Sequence, residues 1–386
     1  MDLSADFSRA DPVTELAAAA GCPHERMPGT GTLFVYQADQ VARLVSSEDL
    51  GAEHTDTAQP RHGSPAERET MLKLRPFFGK WPVFTDGEYH ERVRRAVVRG
   101  LRGVPIRALT AQQETFLSGA LKSLSGRSFD WIKEIAIPLA ESAVFSILGS
   151  TEKTPIEAAK LIMNEVAVND MNAARGEAAL RAVSTIREWV QGQVGDPPSA
   201  FVREVASLWT DENYGPDSAT AVLAQVITGS YDPIISVLGG AVEYADTRAL
   251  RELRLDAVRE EILRYTAPFR ATNRYARRPV RVGEHELKPG ERVVLVLASA
   301  NFDPGVYVNP LEFRDRSDTP RLFSFGGGQH YCPGSGLARQ VLDTLLRSLI
   351  SQETWFAVES VEREPQLSML RYRHLHGQLR PLPAHG

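Results

Sequence analysis

Ten residues toward the C-terminal end constrain this chain more than any other segment: Phe325-Gly326-Gly327-Gly328-Gln329-His330-Tyr331-Cys332-Pro333-Gly334. The glycines allow a tight backbone turn and a close approach to a flat ligand. A helical pattern starts at about residue 334 and runs to about residue 350, so Cys332 stands at a helix N-terminus. The positive end of a helix dipole lowers a thiol's pKa and favours the thiolate. Taken alone, one cysteine in a glycine-rich turn also reads as an ordinary buried thiol. The other cysteine, Cys22, is far away in the sequence. Two cysteines make no disulfide framework, and reduced thiols in a cytoplasmic protein are the simpler reading.

The rest of the sequence is mostly helical in pattern, without repeats or low-complexity tracts. Residues 90–100 place Val93, Ala96 and Val97 on one side of a densely charged helix. Residues 138–149 read as a largely buried helix, with Pro138 in its first turn and Gly149 as its stop. Two helices are expected over 155–194, and another over 199–209 after Asp196-Pro197-Pro198. The longest apolar helix covers 217–245, where Pro233 cannot donate to the Gly229 carbonyl and predicts a kink. One charged helix is expected over 247–266. From Pro279 to Val296 the pattern changes to short strands, with turns at Gly283 and Pro289-Gly290, and 301–331 is coil. The result is a mainly α fold with minor β.

Of the 386 residues, 42% are hydrophobic and 24% charged, which excludes a disordered chain. A formal net charge of -5 argues against a general nucleic-acid binder. The start of the chain lacks the basic-then-apolar pattern of a secretory leader, and no stretch reaches the roughly 18 apolar residues of a membrane span. A soluble, cytoplasmic protein without an anchor is expected.

The 325–334 segment resembles the haem-binding loop of the cytochrome P450 superfamily. The family's Phe, Gly, Cys and Gly fall on Phe325, Gly328, Cys332 and Gly334, and Ala338 also fits. Other segments follow in the family's order. Glu261-Ile262-Leu263-Arg264 looks like its Glu-x-x-Arg helix motif. That pair is structural in the family and joined to an arginine of the later coil, for which Arg316 is the candidate, one residue early. His90 and Arg94 resemble the family's His-x-x-x-Arg, and Arg274-Tyr275-Ala276 its Arg-x-Ala. With His330, these imply contacts to haem propionates, where cations and donors suit an anion. Each of them, read alone, is also an ordinary surface charge or ion pair. Asn301-Phe302-Asp303-Pro304 resembles a frequent Asn-Arg-Asp-Pro segment, with Phe302 replacing the arginine.

The resemblance runs from about residue 84 to the C-terminus. It implies the cytochrome P450 fold over a single domain, residues 1–386, with haem b between the long helix and the cysteine loop. Cys332 is then the iron ligand, a ferredoxin-type partner supplies electrons and dioxygen is the co-substrate. Thiolate ligation pushes electron density to the iron and favours O–O cleavage.

The long helix departs from the family pattern. Thr228 takes the usual alanine place and Gly229 is retained, but Tyr231 stands at the acid and Asp232 at the threonine, followed by Pro233. The usual acid–alcohol pair that delivers protons is therefore absent. Asp232 relays protons if burial raises its pKa, or the Tyr231 hydroxyl donates, or Asp232 turns away and Pro233 only kinks the helix. The segment between this helix and Glu261 is also short for the family.

Substrate signals are sparse. Phe77, Phe78, Trp81 and Val83 read either as an aromatic wall or as core, and Phe269 and Arg270 fall where the family's chain passes near the haem. Arg270 either holds a carboxylate or phenolate or faces solvent. Cys22, His24, His54 and His62 are irregularly spaced and read as surface residues, not a metal set. Three functions stay open. The first is a biosynthetic monooxygenase acting on a small natural-product intermediate. The second is an oxidative cross-linking or ring-forming enzyme on an aromatic amino-acid, peptide or carrier-bound substrate. The third is a haem protein without turnover.

Overall fold

The computed structural model describes residues 12–26, 31–53, 65–167, 173–245, 247, 249–316, 322–364 and 368–382. Its helices are α1 (Pro12–Ala20), α2 (Ala38–Val45), α3 (Pro65–Phe78), α4 (Gly87–Arg102), α5 (Ile106–Leu124), α6 (Ile137–Leu148), α7 (Thr154–Ala167), α8 (Ala173–Gln193), α9 (Ala200–Trp209), α10 (Gly215–Tyr244), α11 (Ala249–Glu252), α12 (Leu255–Thr266), α13 (Leu297–Ala300) and α14 (Ser335–Ser351). The α4 helix buries His90, Val93, Ala96, Val97 and Gly100 on one face, as the apolar spacing requires. Gly149 ends α6 with φ 68°, the left-handed conformation that glycine adopts without a Cβ penalty.

The strands lie at the margins of this helical body. β1 (His24–Arg26), β2 (Leu33–Val35), β3 (Leu50–Gly51), β5 (Thr272–Ala276) and β8 (Arg292–Leu295) form one sheet in the order β1-β2-β8-β5-β3. β4 (Ser128–Asp130), β9 (Thr354–Arg363) and β10 (Tyr372–Pro381) form a second, and β6 (Val280–Val282) pairs with β7 (His285–Leu287) as a hairpin. Of these, only β6 to β8 lie in the segment whose alternation marks strands. Most of the others are short, and their pairing is with segments distant in sequence. Such partners leave no local signal.

At the centre is α10, which is buried over most of its length and packs against α6, α7, α8, α9, α12 and α14. It runs as one helix through Pro233. Two sequence-based expectations need correction. The region 247–266 is not one helix: α11 ends at Glu252, and Arg254 is extended (ψ 144°) before α12 begins. The Asp256 carboxylate bonds the Arg254 guanidinium and the Ala257 N–H there, a local network that competes with helix continuation. Secondly, α10 is long and apolar enough to cross a membrane, with a mean hydropathy of 1.4 over its best window. However, 72% of that window is buried inside the protein, as a central core helix requires.

Candidate active site

The glycine-rich loop reaches its conformation through two left-handed residues, Gly326 (φ 68°) and Gly328 (φ 62°). A Cβ on Gly328 would lie 2.8 Å from the Val45 carbonyl oxygen, so this position has neither the φ nor the space for a side chain. The Cys332 N–H donates to the Phe325 carbonyl (3.0 Å), closing the loop, and α14 begins three residues later. Phe325 stacks under the Arg339 guanidinium, 4.6 Å from its ring centroid. A Cβ on Gly334 would stand 3.9 Å from the Cys332 sulfur, and Ala338 donates its N–H to the Gly334 carbonyl in the first turn of α14. Burial pushes the Cys332 thiol pKa up. The backbone N–H groups of Gly334 and Ser335 and the charges of Arg94 and Arg339 pull the other way. The helix-terminus effect expected from sequence is thus present, but desolvation outweighs it.

Two other residues singled out in the sequence, Arg94 and His90, meet this loop. The Arg94 guanidinium donates to the Tyr331 carbonyl (2.6 Å). The ring nitrogens of His90 face the carbonyls of Pro82 (2.8 Å) and Gln329 (3.3 Å), and its ring lies 4.2 Å from that of His330. His330 Nε2 meets Asp86 Oδ1 at 3.1 Å. Burial lowers the His330 pKa, while Asp86 opposes that shift. Asp86 escaped the sequence reading. Although burial alone would raise its pKa, hydrogen bonds from His330, the Ala52 and Glu53 N–H groups and Arg277 hold it well below the usual carboxylate range.

Arg274, on β5, is only 4% exposed. It donates to the Thr272 hydroxyl and the Asn273 carbonyl, and among the described residues it forms no ion pair. Burial lowers its pKa. A desolvated guanidinium with neutral partners is costly unless an anion completes its surroundings.

On α10 one stripe is unusual. Gln225, Val226, Gly229, Ser230 and Pro233 retain accessible surface on a helix that is otherwise buried here, at the spacing of one helix face. A Cβ built on Gly229 meets nothing within 4 Å. The Val83 N–H donates to Gln225 Oε1 (3.1 Å), so the 82–84 turn borders this open face. Gln225, four residues before Gly229, could have been found from helical spacing alone.

Thr228, Tyr231 and Asp232 lie on the flank of α10 instead, where they line a crevice with Ile156, Ala159, Lys160 and Met163 of α7. Thr228 donates its hydroxyl to the Gln225 carbonyl. The Lys160 ammonium sits 4.3 Å from the Tyr231 ring centroid, and the Tyr231 hydroxyl is buried without a hydrogen bond. Asp232 is 8% exposed and lies 3.6 Å from Arg371. Burial raises its pKa, against the pull of Arg371 and Lys160. Neither cation follows from sequence spacing, because α7 and the residue just before β10 are remote from α10 along the chain.

The aromatic segment divides. Trp81 is core, 3% exposed and packed edge-on to Phe77 and Phe78, while Phe77, Phe78 and Val83 stay partly accessible. Arg270 does not face solvent: it is buried, with Tyr244, Tyr372 and Glu15 as its electrostatic neighbours. Phe269 is 39% exposed and pairs with Met369 in an isolated bridge. His54 and His62 lie outside the described residues.

Glu261 and Arg264 make a buried bidentate pair (2.6 and 2.9 Å), and Arg316 Nε reaches Glu261 Oε2 at 3.2 Å. The two arginines then donate to the carbonyls of Asn301, Pro310, Val308, Asn309 and Glu312. These bonds clamp the irregular coil before the cysteine loop to α12. A cleft of about 740 Å³ opens beside the loop, lined by Gly326, Gly327, Gly328 and Tyr331 with Arg254, Arg259, Glu260 and Arg339, and by no residue of α10.

With this geometry described, comparison with known proteins defines the class. The chain has the cytochrome P450 fold: the epothilone B-bound cytochrome P450epoK superposes with a TM-score of 0.84 over 99% of this chain and 100% of that one, at 18% identity. The cytochrome P450 family model matches residues 236–375. Putative cytochrome P450 126 of Mycobacterium tuberculosis is 29% identical over 309 residues, 73% of either chain. The 6-deoxyerythronolide B hydroxylase of Saccharopolyspora erythraea is 25% identical over 291 residues, 72% of either chain. In sequence and in fold the chain is similar to the cytochrome P450 family. It is an oxidoreductase of that type, whose prosthetic group is haem b. Its residues suit this group. The partly accessible Cys332 sulfur heads a loop that leaves no space for a side chain at Gly328, α10 exposes Gly229 to open space, and Arg274 is a buried cation in need of an anion.

Proposed function

We propose that the whole chain acts as one haem-thiolate monooxygenase domain in the cytoplasm, working on a small natural-product intermediate with dioxygen and electrons from a ferredoxin-type partner. The observation that carries this reading is the Cys332 sulfur, partly accessible at the head of α14 and met by two backbone N–H groups. Cys332 would hold the iron, and Arg94, His90, Arg274 and His330 would surround the propionates. When bound, haem supplies dioxygen activation, to which the thiolate contributes electron density.

The chain's own residues then have separable tasks. Gln225, Val226, Gly229 and Pro233 border the space open to substrate, with Val83 at its edge. Phe77 and Phe78 add apolar surface nearby. Asp232 holds a proton more readily than an exposed carboxylate, since burial raises its pKa. Because Asp232 lies on the flank of α10 and not on the open stripe, that property supports a relay role only along the crevice beside α7. The cleft beside the cysteine loop carries Arg254, Arg259 and Arg339, already paired with Asp256, Asp343 and Glu260, so an acidic electron donor would have to compete with these carboxylates.

A second reading follows from the same helix. With Tyr231 and Asp232 in place of the acid and alcohol, one-electron oxidation of an aromatic substrate, giving coupling or ring closure, needs no oxygen insertion. One experiment separates the two. Candidate intermediates from the pathway encoded by neighbouring genes are screened for spectral-shift binding, and binders are incubated with ferredoxin, its reductase and oxygen. A product heavier by one oxygen atom supports the monooxygenase. A product lighter by two hydrogens overturns it in favour of coupling.

A further inference from the structure

His24, Glu284 and His285 come together from opposite ends of the sequence. His24 opens β1, and the other two residues lie at the turn and start of the β6–β7 hairpin. One ligand-capable atom from each falls within 4.8 Å of the other two. The imidazoles of His24 and His285 meet edge to face with centroids 5.0 Å apart. His24 Nδ1 is buried and has no hydrogen-bond partner, a costly state for a polar ring nitrogen. The turn leaves space for the ring by using glycine: a Cβ on Gly283 (φ 58°) would lie 2.2 Å from His24 Cε1. The Cys22 thiol, which donates to the His24 carbonyl (3.4 Å), fixes the backbone on the other side.

We propose that this trio is a divalent transition-metal site of the Zn2+ class that ties β1 to the β6–β7 hairpin. Two imidazoles and one carboxylate are the donor set that borderline cations such as Zn2+ take. Ligand bonds of about 2.0–2.2 Å require the three atoms to draw closer, which torsion of the Glu284 side chain allows because that side chain is 83% exposed. A fourth position stays open to water. The site lies in the strand-rich margin and shares no residue with the Cys332 surroundings, so its role is to brace the fold. Binding releases His24 Nδ1 from its unsatisfied state and adds a cross-link that the short strands lack.

A second trio, Asp130, His374 and His376, meets the same distance criterion. Its Asp130 already accepts from the Ile132 and Leu375 N–H groups and faces His374 Nδ1 at 2.8 Å. It has no comparable orphan and serves as the internal control.

The test uses the haem-loaded, chelator-stripped full chain carrying His374→Gln and His376→Gln, which removes the second trio. Zn2+ is titrated calorimetrically and thermal unfolding is followed with and without the ion. One equivalent of Zn2+ is expected to bind and raise the unfolding temperature, as any ligand of the native state does. Adding His24→Gln is expected to weaken binding by at least about 10-fold, the smallest loss seen even when a mere supporting partner of a metal ligand is removed. The spectrum of the reduced carbon-monoxide complex stays unchanged. Absence of saturable binding, or equal affinity with and without His24, overturns the proposal. Should His24→Gln fail to accumulate, His285→Gln decides the matter by the same criterion.

Discussion

The two walls of the proposed haem space, the 325–338 loop and the 225–236 stretch of α10, are built by different rules. The loop is fixed by its own backbone: left-handed Gly326 and Gly328, a Cys332-to-Phe325 hydrogen bond, and a helix that starts at once. Its side chains have few alternatives, so residue type and position are tightly coupled. The α10 wall is an ordinary helix whose chemistry depends on what packs beside it. Asp232 and Tyr231 acquire their surroundings from Lys160 and Arg371, which no local pattern predicts. Chemistry set by the backbone can be read from a sequence. Chemistry set by tertiary neighbours cannot.

This difference can be broken or sharpened by substitution. The largest effect is expected at the loop. Cys332→Ser removes the proposed sulfur ligand, and the red-shifted Soret band of the reduced carbon-monoxide complex is expected to vanish, as read by difference spectroscopy. Retention of that band would reject Cys332 as the ligand. The clamp beneath the loop comes next. Glu261→Ala leaves Arg264 and Arg316 buried without their carboxylate, a change that costs about 3–5 kcal/mol. Thermal unfolding should shift accordingly, and an unchanged midpoint would mean that the coil is held by its carbonyl contacts alone.

On the α10 wall, Asp232→Asn keeps shape but removes the titratable proton. Coupled turnover is expected to fall by about 10²-fold, the lower end of what a general acid contributes, with peroxide formed in its place. Equal rates and coupling would confine Asp232 to its contact with Arg371. The last effect is confined to the loop, at Gly328. Alanine there takes on left-handed strain of about 1–3 kcal/mol and crowds the Val45 carbonyl. Haem retention after gel filtration measures it, and full retention would show that the loop is softer than its φ values imply.

The same division explains how much was legible in advance. Helices α4, α6, α9, α10 and α14 were foreseen because apolar spacing and terminal residues such as Gly149 act within one element. The loop and its cysteine stood out for the same reason. The β1–β2–β8–β5–β3 sheet was largely invisible, since strands of two to five residues carry little pattern, and β2 and β3 pair with β8 and β5 far along the chain. The split between α11 and α12 was missed because it depends on how Asp256 bonds to its neighbours rather than on hydrophobic pattern. Asp86, the hub for His330, Gln329 and Arg277, carried no signal at all.

Pro233 has a consequence for what α10 can offer a visitor. A proline supplies no amide hydrogen, so the Gly229 oxygen one turn earlier is relieved of its customary donor. Gly229 is also the accessible point of the stripe, with open space where a side chain would be. The main chain therefore keeps a lone pair available there to a water molecule or a substrate hydroxyl. That is a task many proteins give to a side chain, performed here by a missing rung in a ladder.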